Sequence, residues 1–247
     1  MSLSLAVPAA FTMPATSGWY VFFDCDDCCY QNEWRTASKI TKAISSYTEK
    51  LGVSKERSYA LYKEHGTCLT GMLAEGILQE GQVEDYLEKV HDIDYADISP
   101  DPALRDMIER MSVPKDRRIV FTASTKEHAS RCLAKVLAPA TVHDYFSGIV
   151  DTRTCKLETK HSASSFVAAM TAAGVPPDVQ SSSPSACVLL DDSVANIRCA
   201  KQMGWTTVLI GKVERDTGAA LPTPPEADYH LASIHELEQA MPQLFDA

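Results

Sequence analysis

Two short apolar runs, each released into a pair of carboxylates, constrain this chain more than any other feature. Trp19-Tyr20-Val21-Phe22-Phe23 runs into Asp24-Cys25-Asp26-Asp27, and Ala186-Cys187-Val188-Leu189-Leu190 runs into Asp191-Asp192. A run that is apolar at every position suits a strand buried on both faces, as in parallel sheets covered by helices. Such sheets bind ligands in the crevice beyond the carboxyl ends of their strands. Asp24, Asp26, Asp191 and Asp192 are therefore expected at one crevice, where they suggest a divalent-cation site. Acidic residues also cap helices and crowd strand-to-helix loops, so either pair alone reads equally well as ordinary loop chemistry.

The remaining pattern alternates in the same sense. Strands are expected at 118–121, 148–150, 186–190 and 206–210, with helices at 125–137, 162–173 and 194–203 between them and Leu104, Met107, Ile108 and Met111 marking an earlier helix. Strands alternating with helices imply right-handed crossovers and a parallel α/β sheet, to which 19–23 should belong. Residues 31–97 break the pattern. Ile40, Ile44, Tyr47 and Leu51, then Val83, Tyr86, Leu87 and Val90, repeat at helical spacing with no strand between them. The expected architecture is a Rossmann-like core of residues 19–30 and 98–247, interrupted after its first strand by an all-helical cap of 31–97, with 1–18 a flexible tail. An insert at that point sits beside Asp24 and Asp26, which suits a lid. The 181–185 stretch reads as a Ser-rich loop, 221–226 as a Pro-rich surface linker and 227–231 as an edge strand before a terminal helix.

The chain has 247 residues, is 45% hydrophobic and carries a formal net charge of −10. That charge argues against a nucleic-acid or anionic-membrane partner. No apolar stretch reaches the ~20 residues of a membrane span. Most of the eight cysteines lie in or beside apparent strands and helices, which reads as reduced thiols in a cytoplasmic protein. Cys25, Cys28 and Cys29 have zinc-like spacing, but no second Cys or His cluster completes a four-ligand set.

The strand ends carry a coherent chemistry. A carboxylate such as Asp24 is a competent nucleophile toward phosphorus when a cation neutralises it and the phosphoryl group. Asp26, two residues on in an extended segment, points the same way and is placed as general acid and then base. Asp24, Asp26 through its backbone carbonyl, and Asp191 or Asp192 supply oxygen ligands for Mg²⁺. Thr122 offers a hydroxyl and a backbone N–H near a helix start. Lys160 is placed as the phosphoryl-binding cation, with Lys156 as competitor.

In order, Phe23-Asp24-Cys25-Asp26-Asp27-Cys28-Cys29-Tyr30, Phe121-Thr122, Lys160 and Asp191-Asp192-Ser193-x-x-Asn196 resemble the four motifs of the haloacid dehalogenase (HAD) phosphohydrolase superfamily. The opening motif and the segment Tyr62-Lys63-Glu64-His65-Gly66-Thr67 look closest to its pyrimidine 5'-nucleotidase-like branch. The resemblance implies an aspartyl-phosphate on Asp24, acid/base work by Asp26, and a phosphoryl group held by Thr122, Ala123 and Lys160. It also implies Mg²⁺ held with Asp191 and Asp192. Tyr62, Lys63, His65, Gly66 and Thr67 become candidates for leaving-group recognition, although an ordinary helix end with Gly66 as its C-cap explains that stretch as well. Ala123 stands where Asn is common, and His161 where Pro is common.

The substrate implied is a small phosphorylated metabolite, foremost a pyrimidine nucleoside 5'-monophosphate. Pyridoxal phosphate and sugar phosphates are alternatives, as is a non-catalytic binding protein of the same fold. Carbon–halogen hydrolysis needs neither a leaving-group acid nor a metal, and Asp26 and Asp191-Asp192 speak against it. Tyr30, Trp34, Tyr59 and Tyr62 are candidates for stacking on a base, with core packing the more ordinary role.

Overall fold

The structure, a computed structural model, describes residues 18–215 and 217–245. The tail expected at 1–18 therefore lies almost wholly outside the described residues. Six parallel strands form one sheet: β1 (Tyr20–Phe23), β2 (Arg118–Phe121), β3 (Gly148–Val150), β4 (Cys187–Asp191), β5 (Thr206–Ile210) and β6 (Tyr229–Leu231), in the order β3-β2-β1-β4-β5-β6. The chain winds outward from β1 on one side and from β4 on the other. The order thus reverses between β1 and β4, where Phe23 pairs with Leu190, and this junction opens the crevice at the carboxyl ends.

Alternation along the strands divides the core into two layers. Val21, Phe23, Val120, Val188, Leu190 and Val208 face α5 (Pro102–Arg110), α6 (Lys126–Val136), α7 (Val142–Tyr145) and α11 (Leu237–Ala240). Phe22, Ile119, Phe121, Leu189 and Leu209 face α8 (Ala163–Ala172) and α10 (Val194–Gln202). In that second layer Phe166 meets Trp205 edge to face at 5.0 Å, and Trp205 lies 4.6 Å from Phe22.

Between β1 and α5, all regular structure is helical: α1 (Arg35–Lys50), α2 (Lys55–His65), α3 (Cys68–Ala74) and α4 (Val83–Val90). Their apolar faces form a separate cluster around Leu61, Met72, Leu78, Tyr86 and Leu87, packed by Ile44, Tyr47 and Leu51 of α1 and its end. Local signals set the boundaries. Ser54 and Thr67 cap α2 and α3, accepting from Arg57 N and Thr70 N, and Gly66 closes α2 at a φ of +82°.

Three elements differ from expectation. Residues 177–182, partly read as a Ser-rich loop, form the short helix α9 (Pro177–Ser182), begun by a proline whose missing N–H costs a first turn nothing. Strand β4 is shifted one residue from 186–190, starting at Cys187 because Ala186 closes a preceding 3₁₀ turn and ending at Asp191, which pairs with Leu209 of β5. Most consequential, the segment after β1 is not extended. Cys25–Cys29 make a tight kinked turn with Asp27 left-handed at φ 55°.

Candidate active site

The turn after β1 sends Asp24 and Asp26 into different surroundings. Asp24 continues the β1–β4 ladder, its N–H donating to Leu190 O at 2.9 Å, which sets it beside Asp191. Lys160 reaches between them, with Nζ 2.6 Å from Asp24 Oδ1 and 2.7 Å from Asp191 Oδ2, and it is only 2% exposed. Asp191 is steadied on its other oxygen by Ser193 N and Asn196 Nδ2, both at 2.9 Å. Lys156 is exposed. Of the two lysines, Lys160 is the one in contact with Asp24 and Asp191.

Oxygens of Asp24, Asp191 and Asp192 lie within 4.8 Å of one another. Burial pushes the Asp24 carboxyl up to about 8, with Lys160 opposing and Asp191 and Asp26 adding to the rise. Asp192 is pushed well above the usual carboxylate range by burial and then by Asp191 and Asp24. Burial alone would neutralise Lys160, but the two carboxylates reverse this and hold its ammonium charged. If all three carboxylates ionise, they exceed the one ammonium by two charges, which is why burial holds protons on Asp24 and Asp192 when nothing else neutralises them. A hard dication with a preference for oxygen ligands, such as Mg²⁺, fits that donor set and that charge.

Asp26 belongs to another network. Its carboxylate lies 2.9 and 3.0 Å from His128 Nε2 and accepts from the Tyr30 hydroxyl, outside the Asp24–Asp191–Asp192 group. Any share it takes in a magnesium site would be through its backbone carbonyl. Burial favours a neutral Asp26, yet the charge and hydrogen bonds of His128 hold its pKa below the ordinary value. Burial likewise opposes charge on His128, and Asp26 overrides it, raising the imidazole to about 12. The ring is oriented from behind: Nδ1 lies 3.0 Å from the Tyr95 hydroxyl, which donates to His91 O at 2.9 Å. His128 is carried at the third position of α6, where Thr125 caps its N–H. Its partnership with Asp26, 102 residues away, has no local signature.

This pair has a pH signature. Asp26, lowered from 3.8, stabilises the fold above that pH and loses its effect as pH falls. His128, raised from 6.5 to about 12, stabilises fully below 6.5 and loses its effect as pH rises toward 12. The stability gap between the wild type and His128→Asn should thus be widest between pH 3.8 and 6.5 and narrow on either side. Urea unfolding across pH checks this, and a pH-independent gap would contradict the ion pair.

Thr122 is buried, with its N–H donating to Val150 O and its hydroxyl accepting from Ser124 N at 3.0 Å, while Ala123 is exposed beside it. Among the α2–α3 residues, Gly66 packs against the segment that carries Lys160. A Cβ there would come within 2.7 Å of His161 Nδ1 and 2.9 Å of Thr159 Oγ1. So Gly66 serves as the helix C-cap and also as a point where the two segments pack without room for a Cβ. Thr67 is occupied in capping α3, and His65 packs at the α2–α3 corner beside Gly71. Tyr62 and Lys63 are exposed, with the ammonium 5.4 Å from the Tyr62 ring and 5.1 Å from that of Tyr59. Tyr59 and Tyr62 are thus surface residues and not core, at 47% and 45% exposure, whereas Tyr30 is buried on Asp26.

Further contacts tie the helical segment to the sheet domain: Thr70 to Leu157 O, Arg153 to Glu84 and Arg215 to Thr41. Gly66→Ala is expected to lose more stability than Gly52→Ala. Both glycines have positive φ, so each substitution costs ~1–2 kcal/mol, but only Gly66 meets a neighbour within 4 Å. Equal losses in denaturant titrations would remove the close approach.

The parallel sheet, the reversal between β1 and β4 and the buried acid–lysine cluster define an α/β fold with a ligand crevice at its strand ends. A family model described as haloacid dehalogenase-like hydrolase matches residues 20–204, and the chain belongs to this family. Solved structures agree on the fold. CbbY from Rhodobacter sphaeroides, in complex with phosphate, is 18% identical with a TM-score of 0.62 and covers 88% of this chain and 95% of its own. A HAD phosphatase from Thermococcus onnurineus is 18% identical, with a TM-score of 0.54 and coverage of 92% and 100%. The β-phosphoglucomutase of Clostridium difficile is 16% identical, with a TM-score of 0.55 and coverage of 91% and 96%. No helix among the described residues is long and apolar enough to cross a membrane.

Proposed function

We propose that this hydrolase is a Mg²⁺-dependent phosphomonoesterase that works through an aspartyl-phosphate on Asp24, with nucleoside 5'-monophosphates, pyrimidine above all, as substrates. The observation that carries the reading is the division of labour within one turn: Asp24 faces Lys160 and two further carboxylates, whereas Asp26 faces His128 and Tyr30. Two carboxylates in contrasting environments are the arrangement that separate nucleophile and acid/base roles need.

Magnesium, when bound, supplies the positive charge that keeps Asp24 ionised and offsets the phosphoryl oxygens. Asp24 Oδ attacks phosphorus and the ester oxygen departs. Asp26 protonates that oxygen with a proton drawn from its short contact with the His128 imidazolium, and later removes a proton from the attacking water. Lys160, Thr122 and the Ala123 N–H hold the phosphoryl oxygens. The α1–α4 helices act as the cap, with Gly66 bringing the α2–α3 corner down on residues 159–161 so that Tyr62, Lys63, His65 and Thr67 are near the leaving group. Closure of such a lid excludes water during the first transfer.

The test is phosphate release from UMP, CMP, AMP, GMP, pyridoxal phosphate and small sugar phosphates, with Mg²⁺ or chelator. Sugar phosphates belong in the panel because CbbY has been solved with xylulose-(1,5)bisphosphate. Metal-dependent preference for UMP and CMP supports the pyrimidine reading. Preference for a sugar phosphate or pyridoxal phosphate retains the chemistry and rejects the nucleotide. Silence across the panel leaves the binding-protein alternative.

A further inference from the structure

Beside Asp26 lies a second group of ligand atoms that the phosphoryl chemistry does not use as a set. The Cys25 and Cys132 sulfurs and an Asp26 carboxylate oxygen lie within 4.8 Å of one another. His128 Nε2 borders two of the three, 3.5 Å from Cys132 Sγ and 2.9 Å from Asp26 Oδ1, but stands outside the 4.8 Å group that includes Cys25, so ligation by all four would draw Cys25 and the imidazole together. Both cysteines are fully buried free thiols. A tetrahedral ion with bonds of about 2.3 Å to sulfur and about 2.0–2.1 Å to nitrogen holds such ligands roughly 3.5 Å apart. The Cys132–His128 spacing already has that value.

We propose that Cys25, Asp26, His128 and Cys132 form a binding site for one thiophilic divalent cation of the zinc class, distinct from the Asp24–Asp191–Asp192 carboxylates. Two sulfurs, an imidazole nitrogen and a carboxylate oxygen are a borderline-soft set that selects zinc-like ions over magnesium. The orienting shell is in place. Because the Tyr95 hydroxyl spends its proton on His91 O, it accepts from His128 Nδ1–H and leaves Nε2 facing the cluster. Asp26, whose side chain is 25% exposed, provides the way in. On ligation both thiols and Nε2 release their protons to solvent, and two thiolates with one carboxylate face the two positive charges.

The cation would occupy the carboxylate and the imidazole nitrogen that the reaction needs for leaving-group protonation. Zinc should therefore suppress turnover that magnesium supports, a consequence that rests on the role proposed for Asp26. The set contains no Cys-x-x-Cys pair and so leaves no spacing signature in the sequence. Cys132 and His128 sit one turn apart on α6 and meet Cys25 only through the fold.

Cobalt(II) is the probe. The reduced full-length chain, with excess Mg²⁺, is expected to develop an intense near-ultraviolet thiolate-to-cobalt band that saturates at one equivalent and is bleached by Zn²⁺. Cys25→Val and Cys132→Val should each lose the band while keeping the wild-type circular dichroism, and Asp24→Asn should keep it. No band in the wild type, or an undiminished band in both folded cysteine variants, overturns the site. Phosphate release is measured alongside, and zinc inhibition that is relieved in Cys132→Val supports the consequence. A band without inhibition upholds the site and removes Asp26 from the reaction.

Discussion

Asp24→Asn is expected to lower phosphate release by on the order of 10⁴- to 10⁶-fold, the range seen when a covalent nucleophile is removed, without loss of fold. The amide has the shape of the carboxylate but cannot attack phosphorus. The stability change has a definite sign. Asp24 is raised from 3.8 to about 8, so its ionisation works increasingly against the folded state as pH climbs between those values. In chelator, the asparagine variant should therefore gain on the wild type as pH rises from 3.8 toward 8. Added Mg²⁺ should shrink that gain by stabilising the wild type. Thermal unfolding with and without the metal reads both effects, and a variant less stable than wild type at pH 8 in chelator would contradict the crowded-carboxylate description.

Lys160→Met should be the most damaging substitution to the fold. It leaves Asp24 and Asp191 facing each other in a buried site without their shared ammonium. Stranding a buried charge in this way costs about 3–5 kcal/mol. Lys156→Met, at an exposed position four residues away, should stay within about 0.5 kcal/mol of wild type. The double variant Asp24→Asn/Lys160→Met should recover part of the loss, because removing one carboxylate relieves the repulsion that the missing lysine exposed. Urea titrations in chelator compare the three, and equal losses at 156 and 160 would show that the ion pairs contribute nothing. Phosphate release should be lost in Lys160→Met and kept in Lys156→Met.

The strands were legible because each carries a short apolar run, such as Ile119-Val120-Phe121 or Val208-Leu209-Ile210, unlike the helices around it. Strand β2 and strand β5 fall where the apolar runs put them, and the helical segment stands out because Val83, Tyr86, Leu87 and Val90 repeat at 3.6-residue spacing and are all buried. Asp24 and Asp191 were legible because one follows β1 and the other ends β4, the two strands at the sheet's reversal, whereas Lys160 comes from the long connection after the edge strand β3 and was marked by its charge ahead of a helix. The Cys25–Cys29 turn was not. Its shape depends on Asp27 accepting a left-handed conformation, and an alternating-side-chain argument cannot see that. The same turn parts Asp26 from Asp24 and delivers it to His128, whose position is set by α6 and by its contact with the Tyr95 hydroxyl. Surface placement of Tyr59 and Tyr62 was equally hidden, since helical spacing of aromatics is shared by core and exposed faces.

Passage of the phosphoryl group through Asp24 is tested most directly by trapping it there. The wild-type protein is mixed with the best substrate of the panel in Mg²⁺, quenched in acid within one turnover and digested for peptide mass spectrometry. The account requires phosphate on the peptide that carries Asp24, absent from chelator controls and from Asp24→Asn. Turnover with no phosphoryl group on that peptide, or with the group on another side chain, would contradict it.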